Sequence, residues 1–244
     1  MSNTLPTIAL ISTGGTLTTL SANGELDLFE YTATGTRLNA NEMLDKFPQA
    51  QSIANIIPVQ FDTLPSTAVS FPHWKKLVLM IDEFVRTTPQ LSGVVILHGT
   101  ATLEETAYAL SLTLHHDIPV VITGAQRPAS ALSSDAGRNI FNAVRVAASP
   151  EARGMGVLVC LNDEIHAARE VTKTSTARLQ TFKSPDVGVL GHADGDRIVF
   201  YRKSLRRHNP DTEFDIHDLA GLPRVEIAYH YAGSDGLATR AFIQ

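Results

Sequence analysis

Threonine hydroxyls beside glycines are the first residues in this sequence whose types and spacing suit chemistry. Thr13-Gly14-Gly15-Thr16 follows an apolar stretch near the start, and His98-Gly99-Thr100 follows another in the middle of the chain. Lys173 stands among hydroxyl side chains in residues 171–176. A threonine hydroxyl is a poor nucleophile until a base takes its proton, and a lysine is such a base only where its pKa is lowered. Each turn alone also suits an ordinary strand-to-loop connection, and Lys173 alone suits a solvated lysine.

The central turn must be positioned by the elements on either side of it. Val94–Leu97 is a short apolar run that predicts a strand covered on both faces. After it, apolar residues recur at helical spacing from Leu103 to Leu114, and Thr102 with Glu105 predicts a capping box. The turn between them therefore lies at the carboxyl end of a strand and the amino end of a helix. Ligands bind at that place in open α/β sheets, where free backbone N–H groups attract an anion.

Strands and helices alternate along most of the chain. The pattern predicts strands at 7–12, 56–61, 94–97, 119–123 and 155–161, and helices at 39–47, 71–85, 103–114 and 135–148. Such alternation favours an α/β fold with a doubly wound parallel sheet. The polar, weakly periodic segment 17–37, which contains Tyr31, predicts a long mobile loop or lid.

The chain is predicted to divide into one large domain and the start of another. Residues 1–202 form the large domain, the charged segment 203–223 is interpreted as a linker, and residues 224–244 begin a second, smaller α/β domain. Residues 224–231 alternate like a strand, and a helix starts after 235. A strand and part of a helix cannot form a core. Because so little of the second domain is present, we expect exposed apolar area on the amino domain and a tendency to associate.

Composition excludes several classes of function. The 244 residues carry a formal charge of −5 and 43% apolar residues, which gives a sizeable core and no basic surface for nucleic acid or an anionic membrane. Cys160, the only cysteine, lies in an apolar run and is interpreted as a buried thiol. The sequence shows neither a signal peptide nor a stretch long enough to span a membrane, so a cytoplasmic location is expected. A small molecule or a protein is the expected partner.

Metal-dependent and serine hydrolase chemistry both lack their usual signatures. The nine histidines include no His-Glu-x-x-His, and His115 and His116 are adjacent rather than four residues apart. No Gly-x-Ser-x-Gly elbow is present. We therefore expect no metal site and no Ser-His-Asp triad.

Four motifs in order resemble the bacterial L-asparaginase and glutaminase-asparaginase family. They are TGGT at 13–16, HGTxTxEETA at 98–107, GAQRP at 124–128 and VTKT at 171–174. The resemblance covers residues 7 to about 238. It implies an α/β amino domain, a smaller α/β carboxyl domain, and a homo-oligomer: a homotetramer built from intimate dimers, or the dimer alone. It also implies hydrolysis of the side-chain amide of asparagine, and often of glutamine, with no metal or organic cofactor.

The resemblance also implies a role for individual residues. Thr16 would be the nucleophile that forms an acyl-enzyme, and Tyr31 would help to activate it. Thr100 and Lys173 would form a second pair of hydroxyl and base. In the substrate pocket, Ser66 would hold the carboxylate, the backbone of Ala125 would contact the amide, and Gly99 and Ala101 would complete the wall.

Two departures from the family pattern lower the expected activity. The residue after Thr100 is an aspartate in the family, where it pairs with the α-ammonium group of the substrate, but here it is Ala101. Loss of one partner of a buried charge pair costs about 3 to 5 kcal/mol, on the order of 10² to 10⁴ in catalytic efficiency. The family's carboxyl domain, which closes a neighbouring subunit's site, is represented only by its beginning.

Two other functions remain open from the sequence. Ala101 and the short carboxyl segment also suit a catalytically silent module that binds acidic amino acids. An asparaginase-like subunit of a transfer-RNA-dependent amidotransferase is a weaker alternative, because the chain is acidic and shows no added RNA-binding domain.

Overall fold

The structure, a computed structural model, describes residues 4–243. The strands are β1 (Thr7–Ser12), β2 (Thr19–Leu20), β3 (Thr36–Arg37), β4 (Asn55–Gln60), β5 (Leu91–Leu97), β6 (Val120–Thr123), β7 (Val157–Leu161), β8 (Glu164–Ala167), β9 (Thr172–Lys173), β10 (Phe182–Lys183), β11 (Gly191–Ala193) and β12 (Ile198–Phe200). The helices are α1 (Tyr31–Thr34), α2 (Ala40–Lys46), α3 (Phe71–Thr87), α4 (Leu103–Thr113), α5 (Ala136–Ala148) and α6 (Leu237–Ile243).

One eight-stranded sheet organises the molecule. Its strand order is β12-β11-β8-β7-β6-β5-β1-β4, and the strands from β7 to β4 pair in parallel. The small ladders β2-β3 and β9-β10 lie outside it. The α/β class and the five predicted parallel strands are therefore confirmed.

Alternate residues of the central strands feed two separate cores. Ile8 and Leu10 of β1 face α2 and α5, whereas Ala9 and Ile11 face α3 and α4. Side chains on successive strand residues point to opposite faces, so a strand buried on both sides must be apolar throughout. This explains the unbroken apolar runs in β1, β5 and β7 and confirms the doubly wound arrangement.

The sheet is not parallel throughout, which corrects one expectation from the sequence. β8 pairs antiparallel with β7, and β11 and β12 extend this edge in antiparallel fashion. Asn162 and Asp163 make the reversal, with φ of 51° and 63°. Two residues with positive φ form the hairpin turn that suits the twist of the strands, and Asn and Asp tolerate that conformation. The adjacent Asn162 and Asp163 are the feature of the sequence from which the hairpin could have been predicted.

The predicted capping box at the start of α4 is wrong. The Thr102 side chain makes no cap hydrogen bond. Its hydroxyl instead donates to the carbonyl oxygen of Ser66 at 2.6 Å. The Thr102 hydroxyl, which the local sequence predicts as the helix cap, therefore makes a tertiary hydrogen bond instead. Glu105 remains in the first turn of the helix, where a negative charge is favourable.

The polar segment 17–37 contains more structure than a plain loop. It includes β2, α1 and β3. Pairing of Thr19 with Arg37 closes the two ends of the segment into a short antiparallel ladder. Asp27 also accepts hydrogen bonds from the backbone N–H groups of Phe29 and Glu30. The position of Tyr31 at the start of α1 is set by these contacts.

The strand predicted at 224–231 is wrong for this structure. No regular strand occurs there among the described residues. Val225, Ile227, Tyr229 and Tyr231 are 73–83% exposed, so no neighbouring strand covers them. A period-two pattern gives strand propensity, but the hydrogen-bonded ladder requires a partner strand.

Part of the segment predicted as a linker packs on the body of the molecule. Ile216 is buried in the core beside α3 and α4, and the ammonium of Lys75 donates to the carbonyl oxygens of His217 and Leu219. Between this segment and the two helices lies an apolar groove of about 380 Å³, lined by Trp74 and Tyr108 among others. The groove leaves apolar side chains of α3 and α4 open to solvent. The tendency to associate and the division into domains stay predictions. Within residues 4–243 no helix is long and apolar enough to cross a membrane.

Candidate active site

Close contact between glycines brings three strand-end turns together. Gly15 has φ of +99°, and a Cβ on it would lie 2.5 Å from the Cα of Gly99. A Cβ on Gly99 would in turn lie 2.8 Å from the Cβ of Ser66. No side chain fits at these contacts, and Gly15 also adopts a backbone conformation that other residues rarely take. The turns that carry Thr16, Ser66 and Thr100 are therefore packed directly against one another.

The first hydroxyl pair joins the turn after β1 to the first residue of α1. The Thr16 Oγ1 and Tyr31 hydroxyl oxygens are 3.0 Å apart, within hydrogen-bond distance. Thr16 is only partly buried, so its hydroxyl stays accessible. The backbone carbonyl of Gly15 accepts hydrogen bonds from the hydroxyls of Thr18 and Thr19, which holds the turn in place.

The second pair joins the turn after β5 to β9. The ammonium of Lys173 donates to Thr100 Oγ1 at 2.8 Å, across 73 residues of sequence. Burial lowers the pKa of Lys173 from its usual value, and the negative charge of Glu104 opposes part of this shift. A lysine with a lowered pKa is more readily deprotonated near neutral pH and can then act as a base.

Glu104, in the first turn of α4, holds the strand that carries Lys173. Its carboxylate accepts a hydrogen bond from the Thr172 hydroxyl at 3.0 Å and another from the backbone N–H of Lys173. The sequence analysis contains this glutamate only as one letter of the HGTxTxEETA motif and gives it no role. Its contact with β9 joins residues almost 70 positions apart, which no local pattern reports.

Both pairs open into one cleft of about 360 Å³. The predicted residues Thr16, Tyr31, Ser66, Gly99, Thr100, Ala101 and Lys173 all line it. Ser66 is buried and Ala101 is exposed. The wall also includes residues that sequence reasoning missed: Gly15, Thr19, Thr32, Arg37, Pro65 and Thr67. Several of them lie in the polar segments around Tyr31 and Ser66, and that proximity in sequence was the only available signal.

Ala125 is the one predicted site residue outside the wall of the cleft. It is fully buried behind the wall, directly after Gly124. A Cβ on Gly124 would lie 2.8 Å from the Thr100 side chain, so this turn supports Thr100 from behind. The backbone contact between Ala125 and a substrate amide stays a prediction.

A buried hydrogen-bond chain supports the central turn. His98 Nδ1 donates to the carbonyl oxygen of Gly99 at 2.8 Å, and its Nε2 accepts from the Thr106 hydroxyl at 3.0 Å. Trp74 Nε1 donates to the same hydroxyl oxygen at 3.0 Å. Burial lowers the pKa of His98 to about 4, so the ring is neutral at pH 7 and has a fixed tautomer.

Other reactive groups lie away from the cleft. Cys160 is buried in β7, where burial raises the pKa of its thiol to about 12, so the thiol stays protonated. Within the described residues, no three or more His, Cys, Asp or Glu side chains converge as a metal site would require.

The chain is similar to known proteins over most of its length. A family profile described as "Asparaginase, N-terminal" matches residues 7–206, which is most of the chain. This chain belongs to the asparaginase family.

Individual members of the asparaginase family match almost the whole chain. L-asparaginase 2 of Bacillus subtilis is 40% identical over 93% of this chain, and glutaminase-asparaginase of Pseudomonas fluorescens is 35% identical over 98%. The crystal structure of a probable cytoplasmic L-asparaginase from Campylobacter jejuni superposes with a TM-score of 0.85 at 34% identity, over 98% of this chain and 70% of that one. The chain spans only 59% and 65% of the length of these two sequence relatives.

Proposed function

We propose that this chain hydrolyses the side-chain amide of L-asparagine to L-aspartate and ammonia, with glutamine as a second substrate. The observation that carries the proposal is that two hydrogen-bonded pairs, Thr16–Tyr31 and Thr100–Lys173, line the same cleft. An amidohydrolase that forms an acyl-enzyme needs a hydroxyl nucleophile and a route for its proton. The two pairs offer a candidate for each role, and the names of the family members support the same reaction.

The first half of the reaction acylates Thr16. Its Oγ1 attacks the amide carbon while its proton passes to the Tyr31 oxygen, and Tyr31 gives its own phenolic proton to the nitrogen. The C–N bond then breaks and ammonia leaves. Backbone N–H groups of the strand-end turns stabilise the developing oxyanion, and Ser66 holds the substrate carboxylate.

The second half returns the enzyme to its starting state. Water attacks the acyl carbon and gives a proton to Thr100, while Thr100 passes its own proton to the neutral amine of Lys173. The ester bond breaks, and the proton taken by Lys173 returns to Thr16 Oγ1. The lowered pKa of Lys173 supports the base role, since a fully protonated lysine could not accept this proton.

Ammonia release from asparagine tests the proposal. Thr16→Val keeps the size of the side chain and removes the nucleophile, so we expect a loss on the order of 10³-fold or more in kcat. Thr87→Val is the matched control because Thr87 is an exposed residue at the end of α3. Unchanged ammonia release by Thr16→Val would show that Thr16 is not the nucleophile.

Ala101 supports a second candidate, a catalytically silent module that binds acidic amino acids. Calorimetry with L-aspartate distinguishes the two candidates, because binding without any ammonia release favours the silent module.

The homo-oligomer and the cytoplasmic location also stay predictions. Light scattering of the purified chain tests the first.

A further inference from the structure

We infer that the cleft selects amides of dicarboxylic acids that lack an α-ammonium group, such as succinamate, over L-asparagine. The inference rests on the proposed function and names the substrate class of the same site. It comes from the charges that line the cleft.

The lining of the cleft is cationic. Arg37 and, in its protonated state, Lys173 contribute positive charge to the wall, and no Asp or Glu is among the described residues that form it. Arg37 makes no ion pair within residues 4–243, so its charge is available to a ligand. The remaining polar groups of the wall are hydroxyls and backbone. This arrangement suits carboxylates and gives an ammonium group no anionic partner.

The carboxylate beside the cleft is already engaged. Glu104 lines the space next to Ala101 and Lys173, but it accepts hydrogen bonds from the Thr172 hydroxyl and the Lys173 backbone. Each carboxylate oxygen keeps one further acceptor site, but the side chain lies beside the cleft rather than in its wall. Ala101 contributes a methyl group at this edge, which can accept no hydrogen bond.

The physical consequence is a preference for ligands without an α-ammonium group, because the cleft leaves such a group unpaired. An ammonium group that enters this cleft meets the cation of Arg37, the protonated form of Lys173 and no carboxylate in the wall, so it loses hydration and gains no ion pair there. A half-amide without this group places its carboxylate among the same hydroxyls and cations at no such cost. Leaving one charged group unsatisfied costs enough to predict at least about a tenfold difference in affinity.

Calorimetry and kinetics on the 244-residue chain test the inference together. The first measurement compares dissociation constants for succinate and L-aspartate, which are the reaction products and are not turned over. The second compares kcat/KM for ammonia release from succinamate and L-asparagine. We expect succinate to bind at least about tenfold more tightly than L-aspartate, with the same order between the two amides.

Two substitutions at one position separate charge from shape. Ala101→Asp adds a carboxylate and should reduce or reverse the preference for succinate. Ala101→Asn introduces a side chain of nearly the same shape as aspartate but without its charge, so it should keep the preference for succinate. If Asn changes the ratio as much as Asp does, shape sets the preference and the inference is wrong.

The outcomes also separate the inference from the proposed function. Tighter binding of succinate without ammonia release from either amide supports the inference and contradicts hydrolysis. Ammonia release with equal or better kcat/KM for L-asparagine supports hydrolysis and overturns the inference. Failure of succinate and L-aspartate to bind at millimolar concentration also overturns it.

Discussion

At the scale of single residues, the candidate site depends on protonation at one amine. Burial holds the pKa of Lys173 below its usual value of 10.5, so the amine should lose its proton as pH rises through a lower range than for an exposed lysine. The neutral amine is the form that can take a proton from Thr100.

Replacement of Lys173 tests this role through the pH profile. In the unaltered chain we expect kcat to rise with pH and to level off with a midpoint below 10.5, because only the neutral amine is active. Lys173→Arg should lose at least about 10²-fold in kcat at every pH, since arginine stays protonated. Lys183→Arg is the control, because Lys183 pairs with Glu164 in β8 rather than with the cleft. A profile for Lys173→Arg that matches the unaltered chain would contradict the base role.

At the scale of elements, the site is assembled where α4 meets β9 and where the turns after β1 and β5 touch. Neither contact involves neighbours in sequence. Glu104 makes the first contact, and the Gly15–Gly99 approach makes the second.

Glu104→Gln tests the contact between α4 and β9. The negative charge of Glu104 raises the pKa of Lys173, so its removal should move the midpoint of the kcat profile to lower pH. Glu105→Gln is the matched control, because Glu105 is the next residue of the helix and lines the apolar groove instead. A purely structural contact would lower kcat without moving the midpoint.

Gly15→Ala tests the approach of the two turns. The new Cβ would overlap the Gly99 backbone, and we expect a loss of about 2 to 4 kcal/mol in the free energy of unfolding. Gly24→Ala provides the comparison, since Gly24 has a similar φ of +91° but nothing within 4 Å of its Cβ position. Both substitutions strain the backbone, but only Gly15→Ala also overlaps a neighbour. The difference between their losses in free energy of unfolding, measured by urea denaturation, is therefore the cost of the overlap. Equal losses in the two would show that the contact with Gly99 is unimportant.

At the scale of the whole molecule, two buried histidines link stability to pH. Burial lowers the pKa of both His98 and His166 to about 4. An unfolded histidine has a pKa near 6.5, so between about pH 6.5 and 4 the unfolded chain binds more protons than the folded one. Stability is therefore lost as pH falls through this window.

Denaturation at several pH values measures this effect. We expect the free energy of unfolding to fall by a few kcal/mol between about pH 6.5 and 4, since a shift of one pKa unit corresponds to about 1.4 kcal/mol. His98→Gln should flatten part of the slope, whereas His115→Gln, at an exposed position, should leave it unchanged. If the free energy of unfolding depends on pH equally in His98→Gln and in the unaltered chain, His98 is not a source of this pH dependence.

The sequence by itself determined the elements and the turns that end them. Apolar runs in β1, β5 and β7 and the helical spacing in α3 and α4 follow from local periodicity, so they were predictable. The four motifs gave the family, and the resemblance gave eight site residues, of which seven line the cleft. Ala125 was placed in the pocket, but it lies behind the wall.

The tertiary structure alone decided which groups meet. Lys173 reaches Thr100, Glu104 binds β9, and the Thr102 hydroxyl leaves its predicted cap for Ser66. The tertiary structure alone also showed that one edge of the sheet is antiparallel and that segment 224–231 pairs with no strand among the described residues. The physical reason is that periodicity records which side of an element is buried, whereas a hydrogen bond between distant residues depends on how separate elements pack.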